Sequence, residues 1–253
     1  ITMIDLTGKI ALITGGTSGI GYTTAGVLKK LGADVTVTGR NREALDKVAS
    51  ELGVHAIFAD QAKVSDLESL ATQVKSRHGG IDILFINAGI SAFAPIEQFT
   101  EAQFDDIMNI NFRGAFFTLQ KFLPVLNDGA SVINLGSINA YTGMQNTAVY
   151  AASKAALNSL TRTAATELAP RNIRVNAVNP GPVNTPIFGK LGMSDDDIKA
   201  FSATMQKRIP LSRFGEPSDI AHVVAFLASD TANFITGAEY NIDGGTNVNP
   251  VLN

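Results

Sequence analysis

Short apolar runs alternate with segments of helical periodicity along almost the whole chain, and this alternation restricts the fold more than any other feature. Residues 9–14 form an apolar run that stops at glycines, the pattern of a buried strand, and residues 20–31 carry apolar positions at helical spacing up to Gly32. The same reading predicts strands over 33–38, 54–59, 81–87, 130–136, 173–179 and 239–242. It predicts helices over 42–52, 64–78, 147–168 and 216–229, and a helical segment in two pieces over 100–126. Strands that alternate with helices pair in parallel, because each helix carries the chain back across the sheet in a right-handed crossover. The expectation is an α/β fold: one doubly wound parallel sheet of about seven strands with helices on both faces. No linker or repeat divides the chain, so a single domain over residues 1–253 is expected. The one long aperiodic segment, about 181–212, follows a strand end. Ligands bind at such ends, so it reads as a lid over a cleft.

Composition removes several classes of function. The formal net charge is −3 and no long basic run occurs, so nucleic acid is not an expected partner. There are no cysteines, which excludes disulfides, thiolate metal sites and a cysteine nucleophile, and agrees with a cytoplasmic setting. No metal site is expected, no apolar run is long enough to span a bilayer, and no signal-peptide pattern precedes the first strand. The chain opens on Ile1, and Met3 is the expected natural start.

Two local patterns point to chemistry. Thr14-Gly15-Gly16-Thr17-Ser18-Gly19-Ile20-Gly21 lies between the first strand and the first helix. Glycines there let the chain turn tightly and let backbone N–H groups approach a pyrophosphate, and the helix N-terminus adds partial positive charge. Further on, Tyr150 and Lys154 stand one helical turn apart on one face. An ammonium ~5 Å from a phenol, at an effective dielectric of ~20, favours the phenolate by roughly 3 kcal/mol, or about two pKa units. On this reasoning Lys154 brings Tyr150 towards the working range of a general acid or base.

With the glycine spacing upstream and the Tyr150/Lys154 pair downstream, the chain resembles the short-chain dehydrogenase/reductase family, and most of all its NADP-dependent ketoreductase and carbonyl reductase members. Residues 14–21 resemble the family's T-G-x-x-x-G-x-G loop, and Asn87-Ala88-Gly89 its N-A-G motif. Asn111 resembles the helix asparagine of the family's active site, and Ser137, 13 residues before Tyr150, its catalytic serine. Asn179-Pro180-Gly181 resembles the turn after the sixth strand, and 234–237 and 243–245 the C-terminal signature.

The resemblance implies a Rossmann-type fold and hydride transfer between a nicotinamide and a carbonyl or alcohol carbon. It implies catalytic roles for Tyr150 as proton donor, Lys154 as its electrostatic partner, Ser137 as donor to the substrate oxygen and Asn111 as holder of a water that passes protons to Lys154. A helix cap or turn is the alternative for Ser137, and satisfaction of backbone groups the alternative for Asn111. The cofactor residues implied are Gly15, Thr17, Ser18, Gly19, Ile20, Gly21, Gly39, Arg40, Asp60, Asn87, Ala88 and Gly89, with Tyr150, Lys154, Pro180, Gly181, Val183 and Thr185 at the nicotinamide end. Asp60 is expected at the adenine amino group and Thr185 at the nicotinamide amide.

The end of the second strand reads Thr38-Gly39-Arg40-Asn41, with no acid before Glu43. A carboxylate there would repel a 2′-phosphate, whereas arginine can grip one and Gly39 leaves room for it, so NADP(H) is the expected cofactor. In the alternative, Arg40 stacks on the adenine or faces solvent. Phe93, Ile138, Tyr141, Met144, Ile187, Phe188 and Leu191 are candidates for an apolar substrate pocket, or else ordinary core. The favoured function is reduction of small or medium, fairly apolar ketones or aldehydes. A 3-oxoacyl-acyl-carrier-protein reductase is the alternative, with Arg171 the one arginine that keeps a carrier protein in view. A catalytically idle dinucleotide-binding regulator is a third reading. A sugar-nucleotide epimerase is disfavoured, because the 43 residues after Pro210 leave no room for a larger substrate domain. The family also implies a homotetramer.

Overall fold

The computed structural model describes residues 4–185 and 204–248. The chain runs β1 (Ile10–Ile13), α1 (Gly19–Lys30), β2 (Asp34–Gly39), α2 (Arg42–Leu52), β3 (His55–Phe58), α3 (Val64–His78) and β4 (Ile81–Ile86). It continues through α4 (Glu101–Met108), a π-helical turn (Asn109–Gly114), α5 (Ala115–Phe122), β5 (Leu126–Leu135), α6 (Ala148–Leu168), β6 (Arg174–Pro180), α7 (Pro217–Ala228) and β7 (Glu239–Ile242). The strands form one seven-stranded sheet in the order β3-β2-β1-β4-β5-β6-β7. Every neighbouring pair is parallel. Strand order reverses beside β1, where β1 pairs with both β2 and β4, and a crevice opens above their C-terminal ends.

Alternation along each strand sorts its side chains between two apolar layers. Ala11, Ile13, Val35, Val37, Ile83 and Phe85 pack with Leu28 of α1 and Ile220 and Val224 of α7. Leu12, Leu84, Ile86 and Val132 face the other way, onto Leu70 and Val74 of α3, Leu119 and Phe122 of α5 and Leu157 of α6. Ile81 falls in the second layer with Leu84, where the register with β5 shifts between Ile81 and Ile83. Phe85 is fully buried, and truncating such a ring to alanine costs about 3–5 kcal/mol.

One boundary departs from the sequence expectation. The helical segment expected to reach residue 126 stops at Phe122, and Leu126 already opens β5. Pro124 has no N–H to donate back to the Gln120 carbonyl, which ends the helix, and the guanidinium of Arg171 takes up the Leu123 and Leu126 carbonyls that follow, at 2.8 and 2.5 Å. Thr100 and Gln103 form a reciprocal capping box that sets the start of α4 and so the approach to the π-helical turn carrying Asn111.

Candidate active site

The crevice above β1, β2 and β4 holds a cavity of about 290 Å³. Its walls are Gly15, Thr17, Ser18, Gly19 and Ile20 after β1, Thr38, Gly39 and Arg40 at the end of β2, and Ala59, Asp60 and Gln61 after β3. Asn87, Ala88, Gly89 and Ile90 follow β4, and Ile110, Leu135 and Thr185 complete the lining. The loop after β1 is pressed against its neighbours. A Cβ on Gly15, which sits at φ +66°, would fall 2.8 Å from Ala88 Cα, and one on Gly16 2.6 Å from Val37. Asn87 locks the two loops together. Its Nδ2 donates to the Thr14 and Gly15 carbonyls at 2.9 Å, while the backbone N–H groups of Asn87 and Ala88 donate to Thr14 Oγ1 at 3.0 Å. The result is a glycine cradle opening onto the N-terminus of α1. That fits the pyrophosphate of a dinucleotide, since backbone donors can come close with no side chain between.

Several expected cofactor residues lie elsewhere. Gly21 lines no part of the cavity; it is the close-packing glycine of α1, where a Cβ would collide with the Gly15 carbonyl. Val183 is buried in the core and bridges to Gly215, and Pro180 is buried as the last residue of β6. Gly181 packs on Asp243, whose Cβ lies 2.6 Å from where its own would be. Gly39 does line the cavity, but a Cβ there would fall 2.8 Å from Thr17 Cγ2, so its missing side chain is also needed for the close packing of the Thr17 loop on β2. Arg40 is exposed at the rim, and Asp60 lines the cavity while one of its oxygens accepts from the Ala62 N–H at 3.1 Å.

Thr38, Ala59, Gln61, Ile90, Ile110 and Leu135 line the cavity without having been singled out in the sequence. Thr38, Ala59 and Leu135 sit at or just beyond strand C-termini, and the rule that ligands bind there was signal enough to find them. Gln61 carries no such signal. Its Nε2 donates to the carbonyls of Ala88 and Ile110, both at 3.0 Å, a pairing only the fold creates.

Ser137, Tyr150 and Lys154 converge beside this cavity. Ser137 heads a 3-10 turn, its Oγ accepting from the Asn139 N–H at 3.2 Å, and its hydroxyl stands close enough to the Tyr150 phenol to affect its protonation. Lys154 is 3 % exposed and donates from Nζ to the Leu135 carbonyl at 2.6 Å. Gly89 leaves the way to it clear, because a Cβ there would lie 3.5 Å from Nζ. Burial pushes the Tyr150 phenol above its ordinary range, and the Ser137 hydroxyl pulls it part of the way back. Burial also lowers Lys154 to about 8. This corrects the sequence argument, in which Lys154 was to bring Tyr150 down. The ammonium nitrogen lies 5.8 Å from the centre of the phenol ring and is turned to Leu135, so desolvation outweighs attraction in both groups.

Asn111 is 1 % exposed. Its Oδ1 accepts from the Ile90 N–H at 2.8 Å, and its Nδ2 donates to the Ile90 carbonyl at 2.9 Å and to Ser153 Oγ at 3.1 Å. With both amide hydrogens committed, the side chain is a clamp between the π-helical turn, the loop after β4 and α6.

Among the expected pocket residues, Phe93, Tyr141 and Met144 are exposed apolar side chains, whereas Ile138 is buried and belongs to the core. Ile187, Phe188 and Leu191 lie outside the described residues. So does most of the expected lid, although Asn184 N–H donates to the Gly215 carbonyl at 2.8 Å and Gly215 N–H to the Pro182 carbonyl at 2.9 Å. Arg171 pairs with Asp128 at 2.8 Å besides holding the Leu123 and Leu126 carbonyls, so it is not free for a partner protein.

A family model described as Enoyl-(Acyl carrier protein) reductase matches residues 15–247. Oxidoreductase asL5 of Sarocladium schorii is 37% identical over 244 residues, covering 95% of this chain and 96% of its own. The 3-oxoacyl-(acyl-carrier-protein) reductase FabG of Thermotoga maritima is 36% identical over 247 residues, with 95% and 98% covered. Among solved structures, levodione reductase matches with a TM-score of 0.91 at 34% identity, over 96% of this chain and 98% of that one. A blue fluorescent protein from a metagenomic library, in complex with NADPH, matches at 0.87 and 33% identity over 96% of each chain. A 3-ketoacyl-(acyl-carrier-protein) reductase of Brucella melitensis complexed with NADH matches at 0.89 and 34% identity, over 96% and 100%.

Proposed function

Since this chain belongs to the short-chain dehydrogenase/reductase family, whose members act on CH–OH and C=O groups, we propose that it is an NADP(H)-dependent carbonyl reductase for fairly apolar ketones or aldehydes. The observation that carries the reading is the placing of Ser137 and Tyr150 beside buried Lys154, at the edge of a cavity whose glycine cradle fits a dinucleotide. Bound nicotinamide supplies the hydride. The loop 15–20 holds the pyrophosphate, and Arg40 at the rim, with no acid before Glu43, favours a 2′-phosphate.

The protein's own residues handle the oxygen. Ser137 donates a hydrogen bond to the carbonyl oxygen and fixes its direction. Tyr150, kept protonated at neutral pH by burial, gives its phenolic proton to that oxygen as negative charge develops there. Lys154, charged below about 8, stabilises the phenolate left behind, since the two share one helix face. Asn111 ties the π-helical turn to the loop carrying Gly89, which lies beside Lys154.

We read the chain as one oxidoreductase domain, with 181–212 as a lid whose ends are held by the Pro182, Asn184 and Gly215 hydrogen bonds. A second reading, reduction of a 3-oxoacyl thioester on a carrier protein, is favoured by relatives of that name. The commitment of Arg171 to Asp128 and two carbonyls weighs against it. The test is oxidation of NADPH and of NADH with a panel of ketones, aldehydes and acetoacetyl thioesters. Simple ketones turned over faster with NADPH support the first reading, thioesters alone support the second, and no turnover of any overturns both.

A further inference from the structure

Tyr141 leaves half of its surface exposed while its hydroxyl is held inward. It stands one short turn after Ser137, its N–H donating to the Ile138 carbonyl at 2.9 Å. The phenolic oxygen accepts from Asn158 Nδ2 at 3.0 Å and from Asn179 Nδ2 at 3.3 Å. Both asparagines are buried, at 2 % and 0 % exposed, while Tyr141 itself is 48 % exposed. Asn158 lies one helical turn beyond Lys154 on α6, and Asn179 sits at the C-terminal end of β6, so the two donors reach the tyrosine from different elements. A phenol gripped at its tip from two sides has little freedom to swing, and what it shows outward is an immobile aromatic face.

The surroundings agree in character. Met144 and Phe93 are, like Tyr141, exposed apolar side chains. The Ala94 N–H donates to the Asn146 carbonyl at 3.1 Å, which joins the loop of Phe93 to the loop of Tyr141 and Met144. None of the three carries a charge, and exposed aromatic and thioether groups favour a flat, polarisable partner. We propose that Tyr141, held by Asn158 and Asn179, is the specificity-determining wall of the substrate site and selects aromatic or ring-bearing ketones over linear ones. This rests on the carbonyl-reductase reading above and names its substrate class.

The experiment compares kcat/KM for acetophenone and 2-pentanone with NADPH in wild type, Tyr141→Phe, Tyr141→Ala and Asn158→Leu. Cofactor binding by fluorescence titration and thermal melting identify a variant that has merely misfolded. Wild type is expected to favour acetophenone. Tyr141→Ala should lower the acetophenone-to-pentanone ratio about tenfold, near the upper end of one aromatic contact, chiefly through KM. Tyr141→Phe keeps the ring and loses its anchor, so its ratio should fall by about threefold, and Asn158→Leu should follow it in the same direction. A wild-type ratio at or below one overturns the proposal without any variant. Equal losses for both ketones in Tyr141→Ala, or an unchanged ratio in Tyr141→Phe, overturn it as well. If wild type reduces neither ketone with NADPH or NADH, the carbonyl-reductase reading itself falls, and this inference falls with it.

Discussion

Lys154 donates to the Leu135 carbonyl at 2.6 Å from a position almost closed to solvent, and that hydrogen bond is the one it makes among the described residues. An ammonium so placed lacks the hydration it would have in the unfolded chain. Its pKa falls from 10.5 to about 8. Between these values the unfolded chain binds more protons than the folded one, so stability from this group rises with pH over that range. Below about 8 the full cost, about 3 kcal/mol, is present. Lys154→Met should therefore be more stable than wild type at pH 7 by about 2 kcal/mol, once the lost Leu135 hydrogen bond is discounted. The gain should shrink towards pH 10, while reductase turnover is lost throughout. Urea unfolding at pH 7 and pH 10 measures this, and a variant less stable at pH 7 would contradict it.

Tyr150→Phe removes one oxygen and leaves the ring in place. The fold and dinucleotide affinity should survive. Turnover should fall by at least ~100-fold, the lower range for a missing general acid. Near-normal turnover in the pure variant would refute the role assigned to the phenol.

Cofactor choice should respond to Arg40, Gly39 and Thr17 together. Arg40→Leu removes a charge-assisted hydrogen bond, so preference for NADPH over NADH should drop by about 10- to 150-fold. Gly39→Asp alone is expected to weaken both cofactors, because its Cβ would fall 2.8 Å from Thr17 Cγ2. Adding Thr17→Ser removes that methyl group, and the triple variant should prefer NADH. The readout is the kcat/KM ratio for the two cofactors at fixed ketone. An unchanged ratio in Arg40→Leu would sink the assignment of NADP.

Assembly follows from exposed apolar surface. Phe234 is fully exposed, and Phe104 and Phe116 are exposed on α4 and α5, with Phe116 edge-on to Phe117 at 5.3 Å. Rings left in water this way favour a closed symmetric oligomer. Light scattering at micromolar concentration should give about four times the 26.7 kDa chain mass. A mass near that of one chain would rule the tetramer out.

Periodicity by itself determined the sheet, its parallel sense and most element limits, because burial on both faces writes apolar runs directly into the strands. The glycine loop and the Tyr150/Lys154 pair were legible from their spacing, and Asn87 and Ser137 through the resemblance to the family's motifs. Their surroundings were not. Lys154 was expected to lower the Tyr150 phenol, but only the folded chain decides that both are desolvated and that the ammonium turns to Leu135. Gly39 was expected to leave room at the cavity; it lines the cavity, and that Thr17 from a different loop packs against its Cα is a contact only the fold shows. The side-chain amide of Asn111 is taken by Ile90 and by Ser153, 42 positions away, partners that no local pattern announces. Local pattern records which residues are buried or turn tightly. Protonation, filled space and the partner of a buried amide depend on contacts between distant segments, and those exist only once the sheet has brought its strand ends together.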